Sequence, residues 1–524
     1  MYLGVRDKDT ICAVSTPNGI GGISVIRISG IDALKIVQKS IKNPPKIVES
    51  HRVFLANFIN SLSLVLIDEV CITVFLDGKS FTGEEVVEIS CHGSPTICQL
   101  ILDQLCFHGA RVADRGEFTY RAFLNNRLDL IQAESVLSAI HSKSELSAKL
   151  ALRQLKGDLS SAIKKVEDEI LWCLAHIEAS IDFSSEDIEI IQDHTLLNKL
   201  DIIETKITEL VHSFKFGKMI SDGVQITLSG KPNTGKSSLM NLLLQTNRSI
   251  ITDVAGTTRD VIKEDFLYEG IRFILVDTAG IRNNTDDIIE KMGIERTFRE
   301  QDEAQVNMFI FDFSDCFGHP AQERNKSFNQ ESFSLFSKFD LNSTFLILNK
   351  IDLSLNPQQT EFLRNYWQNI SKFASKEEFF SDFRQQFNEP CLFQFIVSLF
   401  NYLELQFNFK TYQDLISWIS VHVIFCSTFD LSSRKYILNA VMQSWVDLSS
   451  HIDNTSVTSS RQKDALVKSL HFIESTKLAV GNGLGHEFIA LDLKEALLSI
   501  QSILGIVYDD QILDKVFKEF CLGK

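Results

Sequence analysis

The chain has 524 residues, of which 44% are hydrophobic and 23% charged, and its formal net charge is −16. That length is too great for one domain and predicts about three to four. The negative charge excludes a protein that grips RNA over its whole surface, so any RNA contact is local or comes from a partner. The start lacks the apolar core of a signal peptide, and no apolar run of about 18 residues occurs, so we expect a cytoplasmic protein without a membrane span.

The first part of the chain consists of short apolar runs separated by glycine-rich turns. The runs at residues 23–28 and 70–75 are typical of strands, with helices between such runs. We therefore predict an N-terminal α+β domain over residues 1–127.

From residue 128 the apolar residues recur every three or four positions, as in long amphipathic helices with one buried stripe. One predicted stripe consists of Leu152, Leu155, Leu159, Ile163, Val166, Ile170, Leu174 and Ile177. Strands alternate with helices from 223 to 448, and the helical period then resumes. The predicted fold class is therefore a multi-domain chain: the α+β domain, and a helical domain (128–222 and 449–524) interrupted by an inserted α/β domain (223–448).

Two phenylalanine-rich stretches, near residues 313–344 and 354–420, look foreign to that α/β domain. They contain too many aromatic residues for ordinary disorder. We predict insertions that form helices and pack on themselves or on their host, and the alternative is a partner-binding surface.

Residues 230–237 fit the phosphate-binding pattern G-x-x-x-x-G-K-[ST]. An apolar strand (224–228) precedes them and a helical pattern (238–244) follows, which is the context that a P-loop requires. Lys236 is expected to reach the β- and γ-phosphates, and the Ser237 hydroxyl to ligate Mg²⁺. The predicted nucleotide contacts of this loop are Asn233, Thr234, Gly235, Lys236, Ser237 and Ser238.

Three further elements follow in the order of a GTP-binding G domain. The first element is a polar loop, in which Thr258 is predicted to provide another hydroxyl ligand of Mg²⁺ beside Ser237. In the second element, Asp277 is predicted to hold Mg²⁺ through water, and the Gly280 N–H to contact the γ-phosphate. In the third, the Asp352 carboxylate accepts two hydrogen bonds from guanine, a donor pair that adenine lacks. The predicted contacts are Thr252, Asp253, Val254, Ala255, Gly256, Thr257, Thr258, Asp277, Thr278, Ala279, Gly280, Asn349, Lys350 and Asp352.

Ile281 occupies the position where Ras-like GTPases have a glutamine that orients the attacking water. Isoleucine cannot orient water, so another group must assist hydrolysis. Asn233 and the loop 252–257 are predicted to hold a monovalent cation beside the phosphates, although Asn233 alternatively only caps a turn. Glu290 either orients the attacking water or is a solvated residue at a helix start. The last G-domain element is altered, since Cys426 and Ser427 replace the Ser-Ala pair that supports the base.

Several segments resemble the MnmE (TrmE) family of tRNA-modification GTPases. They include D-V-A-G-T-T-R-D at 253–260, D-T-A-G-I-R at 277–282 and the terminal F-C-L-G-K at 520–524. The other matching segments are 16–17, 21–22, 27–30, 80–85, 116–125, 230–238 and 290–295. The resemblance covers nearly the whole chain apart from the phenylalanine-rich stretches.

The resemblance implies roles for individual residues. K⁺ would be bound by Asn233, Thr252, Val254 and Thr257, and Mg²⁺ by Ser237 and Thr258. The residues implied in catalysis are Glu290, Asp277, Lys236 and Cys521, of which Cys521 is a thiolate near the modification site or only a small apolar residue. A 5-formyl-tetrahydrofolate-type cofactor would contact Arg27, Glu88, Arg127 and Lys524, where Arg127 replaces the lysine that the family usually has.

The resemblance also implies a reaction and partners. The protein would form a homodimer through its N-terminal domain and a heterotetramer with an MnmG-type flavoprotein. Together they would add an aminomethyl or carboxymethylaminomethyl group to C5 of the wobble uridine of certain tRNAs, with GTP hydrolysis driving a conformational cycle. The alternatives are a regulatory GTPase switch of the ribosome-assembly type and a degraded homologue without modification activity.

Overall fold

The structure is a computed structural model, and it divides into two compact units. The first comprises Met1–Ser142, Ala148–Phe214 and Asn454–Lys524, and the second Lys143–Ser147 and Lys215–Asp453. The residues described are 9–45, 48–76, 78–182, 192–244, 263–277, 304–316, 336, 340–387, 390–407, 409–446, 455–508, 510–520 and 523.

The described residues form strands and helices of both units, numbered here along the chain. The strands are β1 Ile11–Val14, β2 Ile23–Ser29, β3 Val53–Ile59, β4 Leu66–Phe75, β5 Val86–His92, β6 Arg111–Val112, β7 Val224–Gly230, β8 Lys263–Tyr268, β9 Ile271–Asp277, β10 Val306–Asp312, β11 Thr344–Asn349 and β12 Val423–Phe425. The helices are α1 Ala33–Gln38, α2 Pro95–Phe107, α3 Glu117–Leu124, α4 Leu130–His141, α5 Glu145–Lys156, α6 Asp158–Asp182, α7 Asp193–Asp222, α8 Lys236–Leu244, α9 Pro357–Trp367, α10 Lys376–Gln386, α11 Pro390–Gln406, α12 Tyr412–His422, α13 Ser432–Val446, α14 Ser460–Gly481, α15 His486–Leu504 and α16 Asp510–Lys518.

The first unit begins with a mixed six-stranded sheet in the order β3-β4-β5-β2-β1-β6. Side chains alternate between its faces, since successive residues of a strand point in opposite directions. In β2, Ile26 and Ile28 lie fully buried in the apolar core of this sheet, and Arg27 between them belongs to the opposite face. The strands predicted at 23–28 and 70–75 are confirmed within β2 and β4.

Helices complete the first unit and bury a continuous apolar stripe. Buried residues of α6, α7, α14 and α15 form one core, which includes Ile163, Ile203, Leu466 and Leu493. The stripe predicted from residue 152 is wrong at its start, because Leu152 is 51% exposed. The reason is a break in the helix: α5 ends at Lys156, and α6 starts in a new phase after Gly157.

The second unit contains a six-stranded sheet in the order β12-β11-β10-β7-β9-β8. All neighbouring pairs are parallel except β8 with β9. The carboxyl ends of parallel strands meet at one edge, which is where open α/β sheets bind ligands. The ends of β7, β11 and β12 therefore bring the predicted P-loop, Asn349 and Cys426 to the same edge.

The described residues between β11 and β12 include four α-helices, α9 to α12, which pack on the host sheet. Trp367, Phe379 and Phe383 are fully buried, in one cluster with Leu348 and Phe425 of the sheet. Much of the other stretch, 313–344, lies outside the described residues. Among the residues that the structure describes, no helix is both long and apolar enough to cross a membrane.

Candidate functional site

The predicted P-loop joins the end of β7 to the start of α8. Its turn requires Gly235, whose φ of +95° is strained for other residues, and a Cβ there would collide with the side-chain amide of Asn349. Asn233 is also left-handed, with φ of +64°, a conformation that asparagine tolerates better than most residues. The strand, glycine turn and helix thus stand in the order that exposes backbone N–H groups to a phosphate.

Side chains of the P-loop stabilise the turn from inside. The Lys236 ammonium donates to the carbonyl oxygens of Gly230 (3.0 Å) and Lys231 (2.6 Å). The Thr234 hydroxyl donates to the Lys231 carbonyl at 3.0 Å. Lys236 is therefore held over the loop, where an ammonium meets an incoming phosphate.

The end of β11 is fastened directly to the P-loop. The fully buried Asn349 side chain donates from Nδ2 to the Thr234 carbonyl at 2.8 Å. The Lys350 ammonium donates to the Asn233 carbonyl at 2.8 Å and pairs with the Asp312 carboxylate. The element predicted to select guanine and the element predicted to hold phosphates therefore form one connected structure.

Four of the predicted ligands that the structure describes have side chains at the surface of the site. Asn233, Ser237, Ser238 and Asp352 are exposed to solvent. Asp277 ends β9, but its side chain is outside the description. The predicted site residues wholly outside the described residues are Thr252, Asp253, Val254, Ala255, Gly256, Thr257, Thr258, Thr278, Ala279, Gly280, Glu290, Cys521 and Lys524.

The altered base-supporting element, Cys426 and Ser427, is well ordered by its backbone. Cys426 N–H donates to the Leu348 carbonyl at 2.8 Å, and its own carbonyl accepts from the Ile351 N–H at 3.3 Å. Burial raises the pKa of the Cys426 thiol to about 12, so the sulfur stays neutral. Cys426 is therefore a buried apolar packing residue beside the Asn349 segment.

Sequence reasoning missed one residue at this edge. Arg364 of α9 reaches the carbonyl oxygen of Phe425, 61 residues further along the chain, at 3.0 Å. Arg364 is an isolated arginine in a stretch without a recognised motif, so its sequence context does not predict this contact. The contact is visible only in the folded structure.

A second group of predicted residues meets on one face of the N-terminal sheet. Arg27 and Glu88 face each other across β2 and β5, and both Nε (3.0 Å) and Nη2 (2.8 Å) of Arg27 donate to Glu88 Oε1. The Arg27 guanidinium carbon also lies 5.4 and 5.7 Å from the ring centres of Phe81 and Phe118. The two rings therefore pack against the guanidinium and help to hold it in place.

Gly523 and Arg127 lie near this face. The Ser15 hydroxyl donates to the Gly523 carbonyl at 3.2 Å, and Gly523 packs so closely on the Val14 carbonyl that a Cβ would collide with it. Val14 belongs to β1, the neighbour of β2, so Gly523 lies beside the strand pair that contains Arg27. The Arg127 stem packs close to the backbone of Gly83.

A buried polar network underlies the same face. Glu84 accepts hydrogen bonds from Ser29 (2.7 Å) and Arg121 (3.2 Å), and Glu117 accepts from Arg111 (2.6 Å) and Arg121 (3.1 Å). Burial alone would raise the pKa of Glu117, but the hydrogen bonds and the two arginine charges outweigh burial, and its pKa lies below the usual value. The network therefore keeps the Glu117 carboxylate ionised.

The parallel sheet, its P-loop and the asparagine-lysine segment fastened to that loop define a G domain, the nucleotide-binding domain of P-loop GTPases. Two family models match the chain: "GTP-binding protein TrmE N-terminus" over residues 10–127, and "MnmE helical domain" over residues 130–521. The chain belongs to the MnmE (TrmE) family. These matches also agree with the predicted fold class of an α+β domain followed by a helical domain that a G domain interrupts.

Individual relatives cover almost the complete chain. A protein of Bdellovibrio bacteriovorus named tRNA modification GTPase MnmE is 44% identical over 100% of this chain and 99% of its own length. Proteins of the same name from Flavobacterium johnsoniae and Carboxydothermus hydrogenoformans are 35% and 33% identical, each over 99% of this chain and 100% of their own. These alignments therefore extend over almost the complete chain and almost the complete length of each relative.

Proposed function

We propose that the protein hydrolyses GTP and that this reaction serves the modification of tRNA. The observation that carries the proposal is the hydrogen bond from Asn349 to the P-loop, which joins the guanine-selecting and phosphate-binding elements inside a chain of the MnmE family. In hydrolysis, water attacks the γ-phosphorus, the bond to the β–γ bridging oxygen breaks, and GDP and phosphate leave. Lys236 would stabilise the charge that builds on the phosphate oxygens.

The finer proposal is a site for two cations. Ser237 and Thr258 would hold Mg²⁺, with Asp277 reaching it through water, and Asn233, Thr252, Val254 and Thr257 would hold K⁺ in place of an arginine finger. Glu290 would orient the attacking water. Support comes from the exposed side chains of Asn233 and Ser237, which offer an amide oxygen and a hydroxyl beside the Lys236 ammonium.

The N-terminal face is proposed as the folate site, with contacts from Arg27, Glu88, Arg127 and Lys524. The donor set fits such a group: Arg27 uses only one oxygen of Glu88, so the second carboxylate oxygen has no partner among the described residues. When bound, the folate would supply the one-carbon unit of the modification. The docking of Gly523 beside β1 supports a contact from the C-terminal segment, where Cys521 would act as a thiolate.

The proposed partners follow from the same family membership. They are a second copy of the chain, an MnmG-type flavoprotein in a heterotetramer, and a tRNA whose wobble uridine receives an aminomethyl or carboxymethylaminomethyl group at C5. The net charge of −16 supports an arrangement in which the flavoprotein supplies most of the RNA contacts.

GTP turnover in K⁺ and in Na⁺ tests the cation proposal. We expect K⁺ to stimulate phosphate release by the purified protein, and Asn233→Gly, which keeps the left-handed turn but removes the amide, to abolish the difference between the two salts. Equal turnover of the wild type in both salts would contradict the K⁺ site. Absence of GTP turnover in either salt would favour a degraded homologue.

A further inference from the structure

Arg364, in the phenylalanine-rich stretch 354–420, contacts the loop that follows β12. Arg364 lies on α9 and is only 7% exposed. Its Nε donates to the Phe425 carbonyl at 3.0 Å, and Nη1 donates to Asp430 Oδ2 at 2.9 Å. A buried guanidinium is costly unless its donors are satisfied, so these contacts fix the position of the group relative to the loop.

The remaining donors reach two serines at the start of α13. Nη1 donates to the Ser432 hydroxyl at 3.1 Å, and Nη2 donates to the Ser433 hydroxyl at 2.7 Å. The fully buried Ser433 oxygen also accepts the Ser427 N–H at 3.2 Å. Ser433 thus bridges Arg364 to the backbone of the base-supporting element.

These contacts brace the turn from both ends. Arg364 holds Phe425 before the turn and Asp430 after it, and Ser433 holds Ser427 within it. The Thr428 N–H has no acceptor among the described residues, so it is a donor available to a ligand. Guanine presents the acceptor O6 where adenine presents an amino group, and a backbone donor here distinguishes the two.

We propose that Arg364 is a positioning residue for guanine recognition: it holds the turn at residues 426–430 so that its backbone donor meets guanine O6. In this proposal, the altered Cys426-Ser427 element is held in its binding conformation by Arg364 of the inserted helix α9. The inference rests on the proposed GTPase function and deepens it by assigning a role to the phenylalanine-rich stretch.

Binding of GDP and of the 5′-diphosphate of 2-aminopurine riboside, which lacks both O6 and the N1 proton of guanine, tests this assignment. Arg364→Lys keeps the charge but loses the planar fork, and Ser433→Ala removes only the bridging hydroxyl. We expect each variant to weaken GDP binding about tenfold, the effect of one well-placed hydrogen bond. Affinity for the 2-aminopurine nucleotide should stay unchanged, so the ratio of the two affinities falls.

Arg384→Gln is the matched control, because Arg384 is an exposed arginine of α10 in the same stretch. It should leave both affinities unchanged. An equal loss of both affinities in Arg364→Lys and Ser433→Ala, or no loss, would overturn the positioning role. A wild-type protein that does not prefer GDP over ADP would instead refute the proposed GTPase function.

Discussion

Replacing Asn349 with alanine tests whether the guanine-selecting segment orders the P-loop. The substitution removes the buried hydrogen bond from Nδ2 to the Thr234 carbonyl and leaves that oxygen without its donor. An unsatisfied buried group of this kind costs about 1–3 kcal/mol in the free energy of unfolding. Because GDP must then order the loop on binding, and 1.4 kcal/mol corresponds to about a factor of ten, we expect affinity for GDP to fall about tenfold.

The assay is urea unfolding followed by tryptophan fluorescence, together with GDP titration. Trp367 and Trp418 report on the second unit, in which Asn349 lies. Ser375→Ala is the matched control: it removes the side-chain cap of α10, at a similar cost of about 1 kcal/mol, without contacting the P-loop. If both variants lose stability and GDP affinity alike, the link between Asn349 and the P-loop has no role in binding.

Three other outcomes are expected. Lys236→Ala should lower the rate of phosphate release from GTP by about 10²-fold or more, because the transferring group loses its ammonium. Burial lowers the pKa of His422 from 6.5 to about 4, so between these pH values the unfolded chain binds more protons than the folded chain. The free energy of unfolding should therefore fall as pH drops from 6.5 to 4, by up to about 1.4 kcal/mol per pH unit. His422→Phe should flatten this pH profile in urea unfolding. Glu88→Gln should weaken binding of 5-formyl-tetrahydrofolate at least tenfold in calorimetry, whereas His92→Gln, at the exposed end of the same strand, should not.

Local sequence patterns predicted the elements that build the nucleotide site. The strand predicted at 224–228 lies within β7. β11 is a similar apolar run and ends at Asn349. Both are short apolar runs followed by polar residues at the carboxyl end of a parallel strand. Strands of this kind can be predicted from the apolar run and the polar residues that flank it. The helical period failed at Leu152, because a single glycine turn changes the phase of a helix.

Long-range contacts could not be predicted from these patterns. The Arg364 guanidinium meets the Ser433 hydroxyl across 69 residues, and Arg461 meets Glu134 across 327. Neither pair has a spacing that a helix or strand would explain, and contacts of this kind depend on how whole elements pack. The resemblance to the family implies roles for Arg27 and Glu88, whereas their cross-strand register is visible only in the structure.

GTP hydrolysis by this protein is proposed to serve tRNA modification. The most direct test deletes the gene, restores it as wild type or Lys236→Ala, and analyses the tRNA nucleosides by mass spectrometry. We predict that the C5-modified wobble uridine disappears on deletion and returns only with the wild type. An unchanged nucleoside profile after deletion would contradict the claim and favour a regulatory GTPase switch.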